Sequence, residues 1–407
     1  MRTIVTPDAQ QKMQLLGPLA SLECDGEPAL GTAPTPRQQA KRDFLADAVV
    51  QVQRPNGPLT VLRTMQSSAC ERNCNYCPFR AGRSGIARLS FTPDELAREF
   101  DKMQRAGVVS GLFLSSGVVG GGVRAMDPML ATVELIRRKY DYRGYVHLKI
   151  MPGAERGQVE QAVRLADRVS INLEGVDAGR LAYLAPQKDF AGELLPAMRW
   201  FHEMVGAPGP SFDRLRTPPL DQRRALPVKI PSLVTQFVVG PAGESDRELL
   251  ATADHLYRQL RLARAYYSGF NPIPDTPLAD IPPAPPIREH RLYQADWLLR
   301  FYGFALDELP FEPDGGLPSG VDPKLVWARR HLLGRPVEVN RASRSELLRV
   351  PGIGPRSADA ILRARRQGRL RDLADLSALG AVTSRAAPFI LLDGKCPPRQ
   401  LDFLDRI

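Results

Sequence analysis

Six short apolar segments, separated by five stretches of helical spacing, restrict the fold of this 407-residue chain more than any other feature. They are PLTVLRTM (58–65), GLFLSSG (111–117), YVHLKIMPG (145–153), RVSINLEG (168–175), LVTQFVVG (233–240) and ARAYYSGF (263–270). Runs this short, rich in β-branched and aromatic residues and bounded by glycine or proline, read as strands. The intervening segments TPDELAREFDKMQRAG (92–107), 126–140, 155–167, 190–205 and 246–260 repeat apolar residues every three or four positions and read as helices. Thr92 followed by Pro93 is a helix start. Alternating strands and helices build a parallel α/β sheet. An incomplete (β/α)6 barrel and a doubly wound sheet both satisfy the pattern. In either, ligands gather at the C-terminal ends of the strands.

The alternation stops at NPIPDTPLADIPPAPPI (271–287), where seven prolines exclude a regular helix or a central strand. Five regions follow: an N-terminal segment (1–57), the α/β core (58–270), this linker or strap (271–287), connecting helices (288–334) and a C-terminal domain (335–407). REHRLYQADWLLRFYGF is an amphipathic helix whose Arg288, His290 and Arg291 oppose the dipole at its start, a placement that suits nearby phosphate. The net charge is +10, and +6 of it falls in His331–Ile407. So basic a small domain suggests a polyanionic partner. No stretch of about 18 apolar residues is present, so no membrane-spanning helix is expected. The first residues lack the apolar run of a secretory signal, and the expectation is a reducing cytoplasm, where clustered cysteines bind metal more often than they form disulfides.

Three of the five cysteines do cluster, in SACERNCNYCPF (68–79). Cys70, Cys74 and Cys77 have the spacing C-x3-C-x2-C. Three thiolates can hold three irons of a [4Fe–4S] cube and leave the fourth iron open. Structural zinc is the rival, but it wants four ligands, and the nearest histidine is His147. Cys24 and Cys396 are too few to ligate a second cluster, and either reads most simply as a lone thiol.

This spacing, with Tyr76 just before the last cysteine, resembles the signature of the radical S-adenosylmethionine (SAM) enzymes. The resemblance implies that Cys70, Cys74 and Cys77 hold the cluster and that the open iron binds the amino and carboxylate groups of SAM. It also implies that reductive cleavage of SAM yields a 5'-deoxyadenosyl radical that takes hydrogen from a substrate. The difficult chemistry would come from the cofactors, and the protein would supply placement. Of the two folds, the resemblance favours the partial barrel.

Polar residues at strand ends are the candidate cofactor contacts. Ser115, Ser116 and Gly117 close the second strand, where the family packs a loop against the methionine amino group. Gly120, Gly121 and Gly122 follow. Lys149 interrupts an apolar strand, at a cost unless it is paired. It is a candidate for a carboxylate of cofactor or substrate, or else an edge-strand residue. Asn172 and Glu174 share one side by the two-residue period and could bind ribose hydroxyls. Gln236 is a similar polar intrusion. Gly240, opening GPAGES, could bring backbone groups to the adenine. Tyr266, Tyr267 and Phe270 could stack on a base at the mouth or pack in the core.

Near the C-terminus, VNRASRSELLRVPGIGPRSADAILRARRQGRL reads as helix, short hairpin (PGIG, 351–354), helix. Gly352 and Gly354 permit close backbone approach, and free N–H groups at the second helix's start can face a phosphate. Arg356, Arg363, Arg365 and Arg366 add charge beside it. The pattern resembles the helix-hairpin-helix motif, which grips a nucleic-acid backbone without reading bases. A hairpin that only docks the tail is the alternative.

Taken with TQFVVGPAGESD and YYSGFNPIPDTP, these motifs resemble, over nearly the whole chain, a bacterial family of DNA modification or repair radical SAM proteins with a C-terminal helix-hairpin-helix. The resemblance implies a partial (β/α)6 radical SAM barrel with a small all-α C-terminal domain. It also implies a reducing electron donor and a partner related to uracil-DNA glycosylases. The substrate nucleotide is left open. So are RNA as the polymer, a peptide substrate, and a non-catalytic iron–sulfur DNA-binding protein.

Overall fold

A computed structural model describes residues 7–20, 48–52, 57–206 and 230–398. The chain divides into two compact units, residues 1–244 with 255–284, and residues 245–254 with 285–407. Cys24 lies outside the described residues.

The first unit is built on one seven-stranded sheet. Its strands are β1 (Val49–Val52), β2 (Leu59–Met65), β3 (Gly111–Ser115), β4 (Tyr145–Lys149), β5 (Arg168–Ser170), β6 (Ser232–Val239) and β7 (Arg264–Gly269). They stand in chain order from β1 to β7; β1 is antiparallel to β2, and the other six are parallel. A doubly wound sheet would reverse its strand order at a switch point. Among the described residues there is none, so the sheet is the curled partial barrel. Strand β1 had no sequence signal strong enough to be read.

The helices are α1 (Ala9–Ala20), α2 (Pro93–Arg105), α3 (Gly121–Arg138), α4 (Arg156–Leu165), α5 (Ala178–Leu184), α6 (Leu195–Gly206) and α7 (Asp246–Leu260). Helix α2 starts as its sequence requires: the Thr92 side chain accepts from the Glu95 amide, and Glu95 returns the bond to the Thr92 amide at 2.8 Å. Such a box contributes about 1 kcal/mol. Strand residues alternate between two environments. Leu62, Leu112, Leu114, Val146, Leu148 and Val169 are fully buried, each contributing roughly 1.5–3 kcal/mol. Their neighbours Arg63, Phe113, Tyr145, His147 and Arg168 line the interior of the curve.

The proline-rich segment is a fitted strap. Leu278 packs with Leu184, Val238 and Phe270, and the Ala284 amide donates to the Phe270 carbonyl at 2.8 Å.

The second unit holds α8 (Pro286–Phe301), α9 (Pro323–His331), α10 (Arg344–Arg349), α11 (Pro355–Ala364), α12 (Leu373–Ala378) and α13 (Thr383–Ala386). Its core gathers Val339, Leu347, Val350, Ile353, Ile361, Leu376 and Phe389. The expected all-α domain carries one small addition, a two-residue parallel pairing of β8 (Val337–Glu338) with β9 (Ile390–Leu391).

Candidate functional site

The cysteine loop leaves the C-terminal end of β2 and is zipped to the loop that leaves β3. The Gly117 amide donates to the Ser67 carbonyl at 2.7 Å, and the Glu71 amide to the Val118 carbonyl at 2.7 Å. Gly117 has no room for a side chain: a Cβ would stand 2.0 Å from the Ala69 carbonyl oxygen. The Glu71 carboxylate accepts from the Gly120 and Gly121 amides at 2.8 and 2.9 Å and so caps α3. Those glycine amides therefore serve the loop itself. On its other side the loop is clipped to residues 183–193. Arg72 pairs with Glu193 at 2.7 Å, and Asn75 bonds the Tyr183 and Leu184 carbonyls at 2.7 Å.

This bracing brings Cys70, Cys74 and Cys77 to one cavity, about 600 Å³ in volume. Tyr76, Ser116, Gly117, Lys149, Asn172 and Glu174 line it too. Ser115 does not; it is fully buried in the sheet, paired with Met65. Gln236 lines a second cavity and bonds Asn172 of this one, whose Nδ2 donates to Gln236 Oε1 at 3.1 Å. Gly240 is also outside the lining, and its amide is taken by Glu244. The expected aromatic mouth is mostly core: Tyr267 is fully buried against Phe237, and Phe270 packs under the strap. Lys149 ends an interior strand between β3 and β5, so the edge-strand reading of it is overturned.

Strand β5 is shorter than its sequence suggests, ending at Ser170, yet Asn172 and Glu174 still reach the same cavity. Glu174 holds a positive φ of 62°, an uncommon backbone for a non-glycine residue and a frequent mark of a functional position. Its Oε1 accepts from Lys188 Nζ at 3.0 Å. Its Oε2 is buried with no hydrogen-bond partner among the described residues. Lys188 was not anticipated; it sits in the polar run PQKD after α5, and nothing local marks its distant partner. Burial opposes its charge, but Glu174 and Cys74 outweigh burial and hold the ammonium above its ordinary value.

The thiols behave oppositely. Burial pushes Cys77 well up, and Cys74 adds to the effect. Burial also raises Cys74, against the pull of Lys188. Thiolates here need a positive ligand. Burial, then Glu174 and the two cysteines, raise Tyr76 well above the ordinary phenol, so it stays a donor. The residues fit an iron–sulfur cube and SAM. Among the described residues no three His, Cys, Asp or Glu side chains are placed to hold a single ion. Three thiols around one cavity suit three separate irons. The Glu174 carboxylate, beside the Tyr76 phenol, is an acceptor suited to a hydroxyl.

Residues 66–256 match the family model of the Radical SAM superfamily, and residues 334–386 match that of a helix-hairpin-helix motif. The superfamily that residues 66–256 match uses a [4Fe–4S] cluster and SAM, and the match supports an enzyme of unspecified reaction. Among curated proteins none matches the chain. Among solved structures, the chain is similar to the FeFe-hydrogenase maturase HydG from Carboxydothermus hydrogenoformans at 16% identity, covering 58% of this chain and 50% of that one with a TM-score of 0.43. It is similar to methylornithine synthase (PylB) at 13% identity, covering 58% and 60% with a TM-score of 0.42. For a radical SAM methyltransferase from Sphaerobacter thermophilus the figures are 15%, 61%, 65% and 0.42. The chain thus spans between half and two thirds of these proteins.

In the second unit, α10 is capped by Ser343 and Glu346, whereas α11, which follows the PGIG hairpin, has no side-chain cap. Gly352 has φ +82°, and a Cβ there would stand 2.3 Å from the Val382 carbonyl oxygen. Gly354 is the N-cap residue of α11. Arg356, Arg363 and Arg366 are exposed. Arg365 is not like them: it turns inward and donates to the Val339 and Ala342 carbonyls at 3.2 and 2.6 Å. Arg288 and Arg291 are also used within the unit, on Asp246 and the Ser319 carbonyl. Lys324 was missed. Its Nζ donates to the Ile353 carbonyl in the hairpin at 2.7 Å. Burial, then Arg385, lower it to about 7.

Proposed function

We propose that the protein acts on nucleic acid, with DNA as the polymer, in a modification or repair reaction begun by hydrogen abstraction. Cys70, Cys74 and Cys77 would hold the cluster. Glu174 Oε2 would accept from a ribose hydroxyl of SAM, and Lys149 would face its carboxylate. Ser116 and the turn at Gly117 border the place of the methionine amine, and Tyr76 offers a ring and a phenol donor beside Glu174. When bound, the cluster and SAM supply a 5'-deoxyadenosyl radical once a reducing donor delivers an electron. The chain's own task is to brace that site, keep it dry and present the target.

The observation that carries the nucleic-acid part is the uncapped start of α11 behind PGIG, flanked by exposed Arg356, Arg363 and Arg366. Unsatisfied amides and arginines bind phosphate without regard to base. A nucleotide in a duplex would have to be flipped, or the substrate single-stranded. The test is anaerobic. Reconstituted, reduced enzyme is given SAM with DNA, with RNA or with neither, and 5'-deoxyadenosine is quantified. The reading expects DNA to raise the yield several-fold. An equal yield in all three arms counts against a nucleic-acid substrate, and a rise with RNA alone replaces DNA with RNA.

A further inference from the structure

The curved sheet lines a second cavity that adjoins the cysteine cavity at Asn172. Its walls are residues of the strands and of the turn after β5, among them Arg63, Phe113, Arg168 and Tyr266. Asn172 lines both cavities and joins them. Among the described residues lining the second one, none is acidic, while two are arginines and one is His147. Arg168 Nη1 donates to the Tyr266 hydroxyl and its Nε to the Ser232 hydroxyl, each at 3.1 Å; both acceptors are neutral. The Arg63 guanidinium stands 5.6 Å from the centre of the Phe113 ring.

We infer that this lumen is a nucleotide pocket, with Arg168 on the phosphate and the Asn172–Gln236 pair on the base edge. Charge argues for an anion: a half-buried guanidinium whose hydrogen bonds among the described residues go to neutral hydroxyls keeps its attraction for a phosphate, which its planar fork matches. Shape argues for a ring: Phe113, Tyr145 and Tyr266 offer aromatic surface to a planar group. The amides of Asn172 and Gln236, 5% and 2% exposed, carry the donors and acceptors that read a base edge. Their position between the cavities sets a bound sugar or base next to the SAM site, where its C–H bonds can be reached. This inference rests on the nucleic-acid reading and names the part of the polymer that enters. A free nucleotide has the same chemistry as one flipped from a strand, so the test separates them.

The full-length, reconstituted enzyme with SAM is titrated anaerobically with dAMP, dCMP, dGMP and dTMP, with the matching nucleosides, and with inorganic phosphate. At least one nucleotide is expected to bind once per chain, and its nucleoside at least tenfold more weakly. Arg168→Gln should weaken the nucleotide at least tenfold and leave the nucleoside within twofold. If that variant does not fold, Arg168→Lys decides: it keeps the charge without the fork, and several-fold weaker nucleotide binding is expected. Binding of no nucleotide, or unchanged affinity in the folded variant, overturns the pocket. A single-stranded oligodeoxynucleotide is then tried as competitor. Competition assigns the pocket to a nucleotide of the polymer. If nucleotides bind but the oligonucleotide neither competes nor raises 5'-deoxyadenosine, the pocket stands and the nucleic-acid reading falls. If DNA raises 5'-deoxyadenosine equally in wild type and Arg168→Gln, that reading stands and the pocket falls.

Discussion

Lys188 in the barrel and Lys324 in the C-terminal unit are both largely buried, and their surroundings shift them in opposite directions. Lys188, its side chain 11% exposed, has a buried carboxylate 3.0 Å away and is held charged. Lys324 has a backbone carbonyl, the face of the Tyr302 ring at 4.5 Å, and Arg385 and Arg349 as neighbours; Asp322 only partly offsets them. Its pKa falls to about 7. The barrel end has balanced its charges internally, as a site that must order a cofactor requires. At the hairpin end Asp322 and Glu308 are taken by Arg385 and Arg349, and Lys324 bonds a backbone carbonyl instead.

The largest effect expected from perturbing either end is at the cysteines. Cys74→Ala should reduce both bound iron and 5'-deoxyadenosine formation to background, read by iron analysis and product quantitation; an active variant with a full cluster would reassign the ligands. Next, the same substitution at each lysine should act with opposite sign. Lys188→Met leaves Glu174 buried and unpaired, and should lower unfolding free energy in urea by about 3 kcal/mol. Lys324→Met removes a poorly compensated charge and should be neutral or stabilising at pH 6.

The pH dependence sharpens that contrast. With a folded pKa near 7 and an ordinary value of 10.5, the unfolded chain binds one more proton than the folded chain between those limits. Below pH 7 both are protonated and the full penalty of the buried charge applies. The contribution of Lys324 to stability should therefore rise with pH from about 7 to 10, by at most about 1.4 kcal/mol per unit. The slope is the difference between wild type and Lys324→Met; parallel profiles would place the proton elsewhere. The smallest effects are single arginines. Arg356→Gln, Arg363→Gln and Arg366→Gln should each weaken DNA binding several-fold and reduce the salt slope by about one. Arg365→Gln should instead lower thermal stability with the salt slope unchanged, because its guanidinium serves the Val339 and Ala342 carbonyls.

Much of this could be read from the chain because the signals are local. Periodicity located the six parallel strands, and Thr92 with Pro93 marked the start of α2 because cap and first turn are adjacent in sequence. The C-x3-C-x2-C loop and PGIG are short enough that spacing fixes which residues share a turn. What escaped depends on distant partners. The choice between barrel and doubly wound sheet needed the strand order. Lys188 takes its meaning from Glu174, fourteen residues away across a loop, and Lys324 from a hairpin carbonyl twenty-nine residues on. Strand β1 has only four residues, too few for a period. Composition made Arg365 look like its neighbours, and only the fold turns it inward.

The central claim is that the site braced by the cysteine loop takes hydrogen from a nucleic acid. A perdeuterated single-stranded oligodeoxynucleotide tests it most directly. After anaerobic turnover with SAM, the account predicts 5'-deoxyadenosine heavier by one deuterium, in an amount that follows the oligonucleotide concentration. Product formed in quantity with no deuterium would contradict it, leaving a radical SAM enzyme whose substrate is something other than DNA.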